Sequence, residues 1–260
     1  MNDNSQQSVA NSLEAEKNLL PYMPYLLQDL WALGSSVNQI LDLIGTLPLS
    51  SDSAKVLDLG CGKGAVSIRV ASKFGFDVVG VDAMPEFLKD AERKSSEYQV
   101  SNLCSFIERD ILTYVTNDHN FDIVILAALG GIFGSNIKTI ANLRTQVRPG
   151  GYIIIDDGYL KKREVLSRKR YEHYRNYEKT VQEFTSFNDR LLTEISTTEV
   201  SRKINDEYLK VIENRHIKLI SQYPELEKDL KNFLDLQREE CDILNNELEG
   251  MIWILKKVAA

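Results

Sequence analysis

The chain has 260 residues, 43% hydrophobic and 27% charged, proportions that exclude a disordered, collagen-like or disulfide-dense protein and fit one large globular domain or two small ones. With 38 acidic residues against 31 basic ones the formal charge is −7, which argues against nucleic acid as a partner of the whole surface. Cys61, Cys104 and Cys241 are too widely and unevenly spaced for a disulfide framework or a CxxC metal site, so a reducing, cytoplasmic setting is expected.

The opening residues, MNDNSQQSVANS, have neither the basic start nor the apolar stretch of a signal peptide. The longest nearly apolar run, residues 123–133, is too short to span a bilayer, and no membrane association is expected. Further along, residues 26–33 and 37–44 read as two helices broken at Gly34-Ser35-Ser36, with Ser35 or Ser36 capping the second. From Lys55 to about Ile155, short apolar runs alternate with helical stretches. In order these are KVLDLG, a helix after Gly64, DVVGVD, a helix over 85–98, CSFIERD, FDIVILAAL, a helix over 136–147, and GYIIIDD. Such runs, rich in Val and Ile and apolar throughout, belong to parallel strands covered on both faces, so a doubly wound α/β sheet is expected.

After Leu160 the chain turns polar, and LKKREVLSRKRYEHYRNYEK reads as a helix or a cover segment. A strand returns at 191–197, followed by an amphipathic helix with Ile204, Tyr208, Val211, Ile212 and Leu219 on one face. A long helix from about Pro224 carries Leu226, Leu230, Phe233, Leu234, Gln237, Cys241, Leu244 and Leu248 on a single stripe, and GMIWILKKV closes the chain as a strand. The layout is thus a helical cap over 1–50, a core over 51–160, a helical insertion or lid with one strand over 161–250, and a final strand over 251–260.

The most informative segment is VLDLGCGKGA, residues 56–65: a buried strand that ends in an acid and a glycine-rich turn, then a helix. A turn without Cβ atoms lets a ligand lie against the backbone, and the helix start behind it offers free N–H donors. Spacing alone leaves two ligands open. Gly60, Gly62 and Ala65 also satisfy the GxGxxA form of the dinucleotide fingerprint, and Asp82, about 20 residues on, suits a ribose in either case. Asp58 favours the other ligand, because a carboxylate beside the turn would repel a pyrophosphate and attract an ammonium group.

VLDLGCGKG, the acid ending VVGVD and Asp110 in ERDIL, in that order at successive strand ends, resemble the class I S-adenosylmethionine-dependent methyltransferases over about residues 50–160. The resemblance implies a mostly parallel, roughly seven-stranded Rossmann-like sheet with one strand reversed at the carboxyl end. It also implies that Gly60, Cys61, Gly62 and Gly64 lie beneath the methionine part of S-adenosylmethionine, with Asp58 toward its amino group. Asp82 would take the ribose hydroxyls and Asp110 the adenine amine. Ala83, Met84 and Ile111 would sandwich the ring, Ala127 would lie near the sulfonium, and Gly34-Ser35 in the cap would contact the cofactor.

Departures from the patterns of subfamilies narrow the chemistry. The fourth strand runs into Leu126-Ala127-Ala128-Leu129-Gly130-Gly131 and lacks the Asn-Pro-Pro-Tyr type of motif that many amide and adenine methylating enzymes carry. Ala stands where metal-assisted catechol-type enzymes place an Asp, so no catalytic metal is expected. Asp156 and Asp157 end the fifth strand on the ligand side of the sheet and point to opposite faces, and either could orient an acceptor or take its proton. A dedicated base is not obligatory in a displacement governed by alignment.

Lys161, Lys162, Arg163, Arg168, Lys169, Arg170 and Arg175 are interleaved with Tyr171, Tyr174 and Tyr177. The plain reading is a solvated charged helix face; the alternatives are a contact for RNA or another anionic substrate, or a lid with His173 and the tyrosines lining a pocket. A cap built from both chain ends suits an enclosed small molecule, so the expected reaction is methyl transfer by direct displacement to its oxygen or nitrogen. RNA or protein methylation through the basic stretch, an NAD-dependent oxidoreductase, and a non-catalytic cofactor sensor are the rivals. Nothing in the chain indicates its oligomeric state.

Overall fold

The apolar runs become strands β1 (Lys55–Leu59), β2 (Asp77–Asp82), β3 (Cys104–Glu108), β4 (Phe121–Ala127) and β5 (Val147–Leu160), joined late in the chain by β6 (Arg190–Ser196) and β7 (Leu248–Lys256). In the computed structural model, which describes residues 3–50, 54–162, 166, 168 and 171–258, they form one seven-stranded sheet in the order β3-β2-β1-β4-β5-β7-β6. The first five pair in parallel, and β7 runs antiparallel to both β5 and β6. The mostly parallel, doubly wound sheet expected from sequence is therefore the fold.

Helices cover both faces because β1, β4 and β5 are apolar on both sides. On one face α3 (Val37–Ile44) and α4 (Ala65–Phe74) bury Ile40, Leu41, Val66 and Ile68 against Val56, Ile123, Ile125 and Ile154. On the other, α7 (Asn136–Gln146) and α8 (Tyr177–Phe184) bury Ile140, Leu143 and Phe184 against Val124, Ile153 and Trp253. β1 lies between β2 and β4, so chain direction from it diverges, and a crevice opens at the carboxyl ends of the strands where such sheets hold ligands.

A third apolar cluster roofs that crevice. It joins α1 (Asp3–Ser12), the 3-10 turn Lys17–Tyr22 and α2 (Met23–Leu26) at the amino end to α9 (Thr198–Gln222) and α10 (Glu227–Asn246) near the carboxyl end. Leu19, Leu20, Met23 and Leu26 pack there with Ile212, Leu219, Leu230 and Phe233, together with Met84 and Phe87 from the start of α5 (Pro85–Glu97). Two segments remote in sequence thus build one cover.

Local elements differ from the sequence expectation where tertiary contacts override periodicity. The expected helix over 26–33 does not form: α2 ends at Leu26 and residues 27–36 form turns and bends, with φ 45° at Leu33 and φ 102° at Gly34. The reason is a strap. Trp31 Nε1 donates to the Lys63 carbonyl at 2.9 Å, and Lys63 Nζ donates to the Leu27 carbonyl at 2.6 Å, which pins the segment over the glycine turn. Neither Ser35 nor Ser36 caps α3 through its hydroxyl; the Ser36 N–H donates to Asp156 Oδ2 at 2.7 Å instead, and Ser35 Oγ donates to the Ala32 carbonyl. Leu248 leaves the helical stripe and starts β7, because the helix ends at Asn246.

Trp253 holds β7 in place for the whole carboxyl half of the sheet: it is fully buried, edge-on to Phe184 at 5.1 Å and tilted against Tyr159 at 6.5 Å. Truncating so large a core ring leaves a cavity as well as lost contacts, so Trp253→Ala is expected to lower unfolding free energy by about 3–5 kcal/mol in urea titrations. A loss under about 1 kcal/mol would contradict this account of the β7 seam.

Candidate functional site

The turn after β1 is fastened to the end of β2. Gly60 and Cys61 donate their N–H groups to the Val81 carbonyl at 2.8 and 3.1 Å, and Gly62 N–H donates to Asp82 Oδ2 at 2.9 Å. Gly60 and Gly62 have φ of 68° and 51°, a region that favours glycine, and the strap and the loop after β4 lie close above them. A Cβ on Gly60 would stand 2.3 Å from Leu129 Cδ1, and one on Gly62 2.8 Å from Leu33 Cδ1.

Around this turn lies a cavity of about 640 Å³, within the roughly 300–1,000 Å³ of small-molecule sites. The residues singled out from sequence, from Gly34 and Ser35 through Asp58, Asp82, Asp110 and Ala127 to Asp156 and Asp157, converge on it, as do Cys61, Ala83, Met84 and Ile111. Gly64 does not border it; its αL conformation starts α4 beneath the turn.

Asp58, 2% exposed, accepts from the Ser67 N–H at 3.1 Å and from Ser67 Oγ at 2.5 Å, and burial raises its pKa to about 6 against those donors. Asp82 accepts from Gly62 and Met84 backbone donors, at 2.9 and 2.8 Å, one on each oxygen; burial raises its pKa and the backbone bonds oppose the rise. Since each carboxylate oxygen has a second lone pair, Asp82 can still accept two ligand hydroxyls. Asp110 caps α6 (Ile111–Tyr114) by accepting from the Leu112 N–H at 2.9 Å. The Cys61 thiol is buried and its pKa is pushed well up, first by burial and then by Asp82 and Asp58, which leaves it protonated and unreactive at neutral pH.

Asp156 and Asp157 part as adjacent strand residues must. Asp156 turns to the Ser36 N–H, so it ties the start of α3 to β5, and burial raises its pKa to about 7. Asp157 accepts from Tyr174 OH and from the Gly158 N–H, each at 2.9 Å, and its Oδ2 is 3.8 Å from His173 Nε2. Burial raises the Asp157 pKa, opposed by His173 and the two donors.

The reading of residues 161–175 as a solvated charged helix is overturned. The described residues between 161 and 176 form no helix; Tyr171, His173 and Tyr174 are buried and border the cavity. Arg168 is turned inward to Glu14 and Glu239, bridging the amino-terminal cap to α10. Lys161 donates to the Asn245 carbonyl and Arg175 to the Tyr174 carbonyl, at 3.0 and 2.8 Å. Arg163, Lys169 and Arg170 lie outside the described residues.

The cavity continues past Asp157 into a compartment walled by α1, α9 and α10, to which sequence reading assigned no chemistry. Tyr208 OH donates to Gln237 Oε1 at 2.6 Å, and Tyr171 OH donates to Glu240 Oε1 at 2.6 Å. Gln237 was legible in one respect, as the amide in an otherwise apolar helical stripe. Among the described residues, no three His, Cys, Asp or Glu side chains converge as a metal cage requires, and no helix is long and apolar enough to cross a membrane.

A family model described as a methyltransferase domain matches residues 50–239. The chain is similar to the chloroplastic tocopherol O-methyltransferase of Arabidopsis thaliana, 34% identical over 101 residues that cover 39% of this chain and 29% of that one. The chain spans less than half the length of the first curated relatives it matches. In fold it is similar to a SAM-dependent methyltransferase from Geobacter sulfurreducens solved with S-adenosyl-L-homocysteine, with TM-score 0.75, 19% identity and coverage of 89% of this chain and 96% of that one. It is also similar to the [4+2]-cyclase SpnF, with TM-score 0.66, 14% identity and coverage of 86% and 82%, so the shared fold by itself does not name a reaction.

Burial of Asp58 and Asp156 has a consequence for stability. With folded pKa values of about 6 and about 7 against an ordinary 3.8, the native state keeps protons between pH 4 and 7 that the unfolded chain has released. Stability therefore falls as pH rises through that window. Asp156→Asn keeps an acceptor for Ser36 without the buried charge, so it is expected to raise the melting temperature of the ligand-free protein at pH 8 and leave it nearly unchanged at pH 5. A drop at pH 8, read by calorimetry, would contradict the assignment.

Proposed function

The chain belongs to the methyltransferase-domain family, and from that premise we propose that it is an S-adenosylmethionine-dependent methyltransferase whose acceptor is a small molecule enclosed beneath the cap. The observation that carries this reading is one cavity bordered at once by the Cβ-free turn, by the acids Asp58, Asp82 and Asp110, and by Asp157 and residues of α1, α9 and α10. S-adenosylmethionine, when bound, supplies a methyl group on a sulfonium that a nucleophile can displace directly.

The residues present fit that group. Gly60, Cys61 and Gly62 offer bare backbone to the methionine part, and Asp58 faces its ammonium. Asp82 retains lone pairs for the two ribose hydroxyls, and Asp110 takes the adenine amine with Ala83, Met84 and Ile111 beside the ring. Ala127, paired to Asp156 across β4 and β5, lies where the sulfonium would be, and Gly34-Ser35 close the site from the strap. The carboxylate of Asp58 argues against a dinucleotide, whose pyrophosphate it would repel.

Asp157 is the proton acceptor in this reading. It borders the cavity, and Tyr174 and Gly158 both donate to its Oδ1, so Oδ2, 3.8 Å from His173 Nε2, is the oxygen that takes a proton in this reading. Asp156 acts through Ser36 as a positioning residue for the strap. The cap supports a small acceptor over RNA or protein: residues of α1, α9 and α10 border the cavity, and Arg168, central to the basic stretch, is committed to two carboxylates.

S-adenosylhomocysteine at about a hundredfold over its dissociation constant should stabilise the protein by about 2.7 kcal/mol, a rise of about 5–10 °C for this length. Asp82→Ala should abolish the rise, and NADH should give none. A shift with NADH alone would overturn the reading in favour of an oxidoreductase. A shift with S-adenosylhomocysteine but no methyl transfer to any acceptor would leave a cofactor sensor.

A further inference from the structure

The strap over 27–36 is tied to the glycine turn twice through one residue, in opposite directions. Lys63 Nζ donates to the Leu27 carbonyl at 2.6 Å, and the Lys63 carbonyl accepts from Trp31 Nε1 at 2.9 Å. At its far end the Ser36 N–H donates to Asp156 Oδ2 at 2.7 Å. Between these ties, Ala32, Leu33, Gly34 and Ser35 border the cavity. The Lys63 side chain is 2% exposed, and an ammonium out of water is costly unless it is partnered. Its partners are the Leu27 carbonyl, the Asp90 carboxylate at 3.9 Å and the face of Phe87 at 5.7 Å. Lifting the strap would take away the short bond, so the closed strap and the buried lysine stabilise each other.

The strap is also bent against its own preference. Leu33 has φ 45°, a left-handed conformation that a side chain with a Cβ rarely adopts, and it is followed by Gly34 at φ 102°. A residue keeps such a conformation only where its surroundings over-determine it, and here the ties on either side do so. Trp31 is set for its bond by Tyr98, with ring centroids 5.3 Å apart, and by Lys94 Nζ, 4.7 Å over the indole. On the outer side Asp29 pairs with Arg215 of α9 at 2.6 Å, but Asp29 is half-exposed, and an ion pair in water holds weakly beside buried bonds. The inner ties therefore decide whether residues 32–35 stay closed over the turn.

Resting on the methyltransferase reading, we propose that Lys63 and Trp31 are positioning residues that form a latch, holding the strap closed over the cofactor and setting how tightly the cofactor is kept. Neither residue borders the cavity, so neither acts by touching the ligand. Lys63 acts through the Leu27 carbonyl, and Trp31 through the Lys63 carbonyl. With the latch made, the strap is closed before the cofactor arrives and binding bears no closing cost. With it broken, the apparent dissociation constant rises by the reciprocal of the fraction of molecules in which the strap is still closed. The Ser36 bond carries the same strap to Asp156 on β5, which links the turn after β1 to the strand that bears Asp157.

The test measures S-adenosylhomocysteine binding to the intact chain by calorimetry, and backbone hydrogen exchange over residues 27–36 with and without that ligand. Lys63→Met keeps an unbranched apolar stem and removes the ammonium. Trp31→Phe keeps a ring and removes the N–H donor, and it decides the matter if Lys63→Met fails to fold. The dissociation constant is expected to rise about 10–100-fold in Lys63→Met and about 3–10-fold in Trp31→Phe. In both ligand-free variants the strap should exchange faster while β1 and β4 stay protected, and saturating S-adenosylhomocysteine should restore the strap's protection. Unchanged affinity in the variants overturns the latch. So does weaker binding with strap exchange unaltered, or with exchange raised throughout the sheet, which is what a merely structural lysine would give. Failure of the parent protein to bind S-adenosylhomocysteine removes the methyltransferase reading itself.

Discussion

Carboxylates crowded at the carboxyl ends of neighbouring strands are the constraint around which this molecule is arranged. Asp58 on β1 and Asp156 on β5 are buried, and Asp82 on β2 and Asp157 on β5 are half-buried beside the cavity, where isolated charges would be costly. Each has therefore been given donors: Ser67 for Asp58, Gly62 and Met84 for Asp82, Ser36 for Asp156, Tyr174 and Gly158 for Asp157. Those donors come from the glycine turn, α4, the starts of α3 and α5, β5 itself, and the segment before α8. Fixing the acids thus fixes the turn, the strap and the back wall of the cavity together.

Donors of this sort hold the acids in place without neutralising them. The pKa values of Asp58 and Asp156, raised to about 6 and about 7, record how incompletely the protein compensates the charge. In the proposed reading, such a crevice suits the ammonium and sulfonium of the cofactor. The same logic makes Asp157 suitable for receiving a proton, since burial has already raised its affinity for one.

The parallel sheet was legible because it is fully covered: Val56-Leu57, Ile123 to Leu126 and Ile153 to Ile155 are apolar without alternation, and only a strand with two buried faces reads so. Asp58, Asp82 and Asp110 were legible because acids in or just after apolar runs, in that order beside a glycine-rich turn, are conspicuous. The strap was not, since residues 27–36 take their path from Trp31 and Lys63 meeting across the glycine turn, a contact no local period encodes. The acceptor compartment was hidden for a related reason. Its walls come from α1, residues 171–174, α9 and α10, and Tyr171 and Tyr174 sit inside a run of cations whose density suggests solvent while Arg168 in fact turns inward.

The most direct test of the acidic-crevice account is calorimetric titration of the protein with S-adenosylhomocysteine at pH 6, in two buffers of different ionisation enthalpy. Near pH 6 Asp58 is about half protonated in the free protein, and an arriving ammonium favours its charged form. The account predicts net proton release on binding, weaker by pH 8 and reduced in Asp58→Asn. Binding with no proton release at pH 6, or with proton uptake, would contradict it.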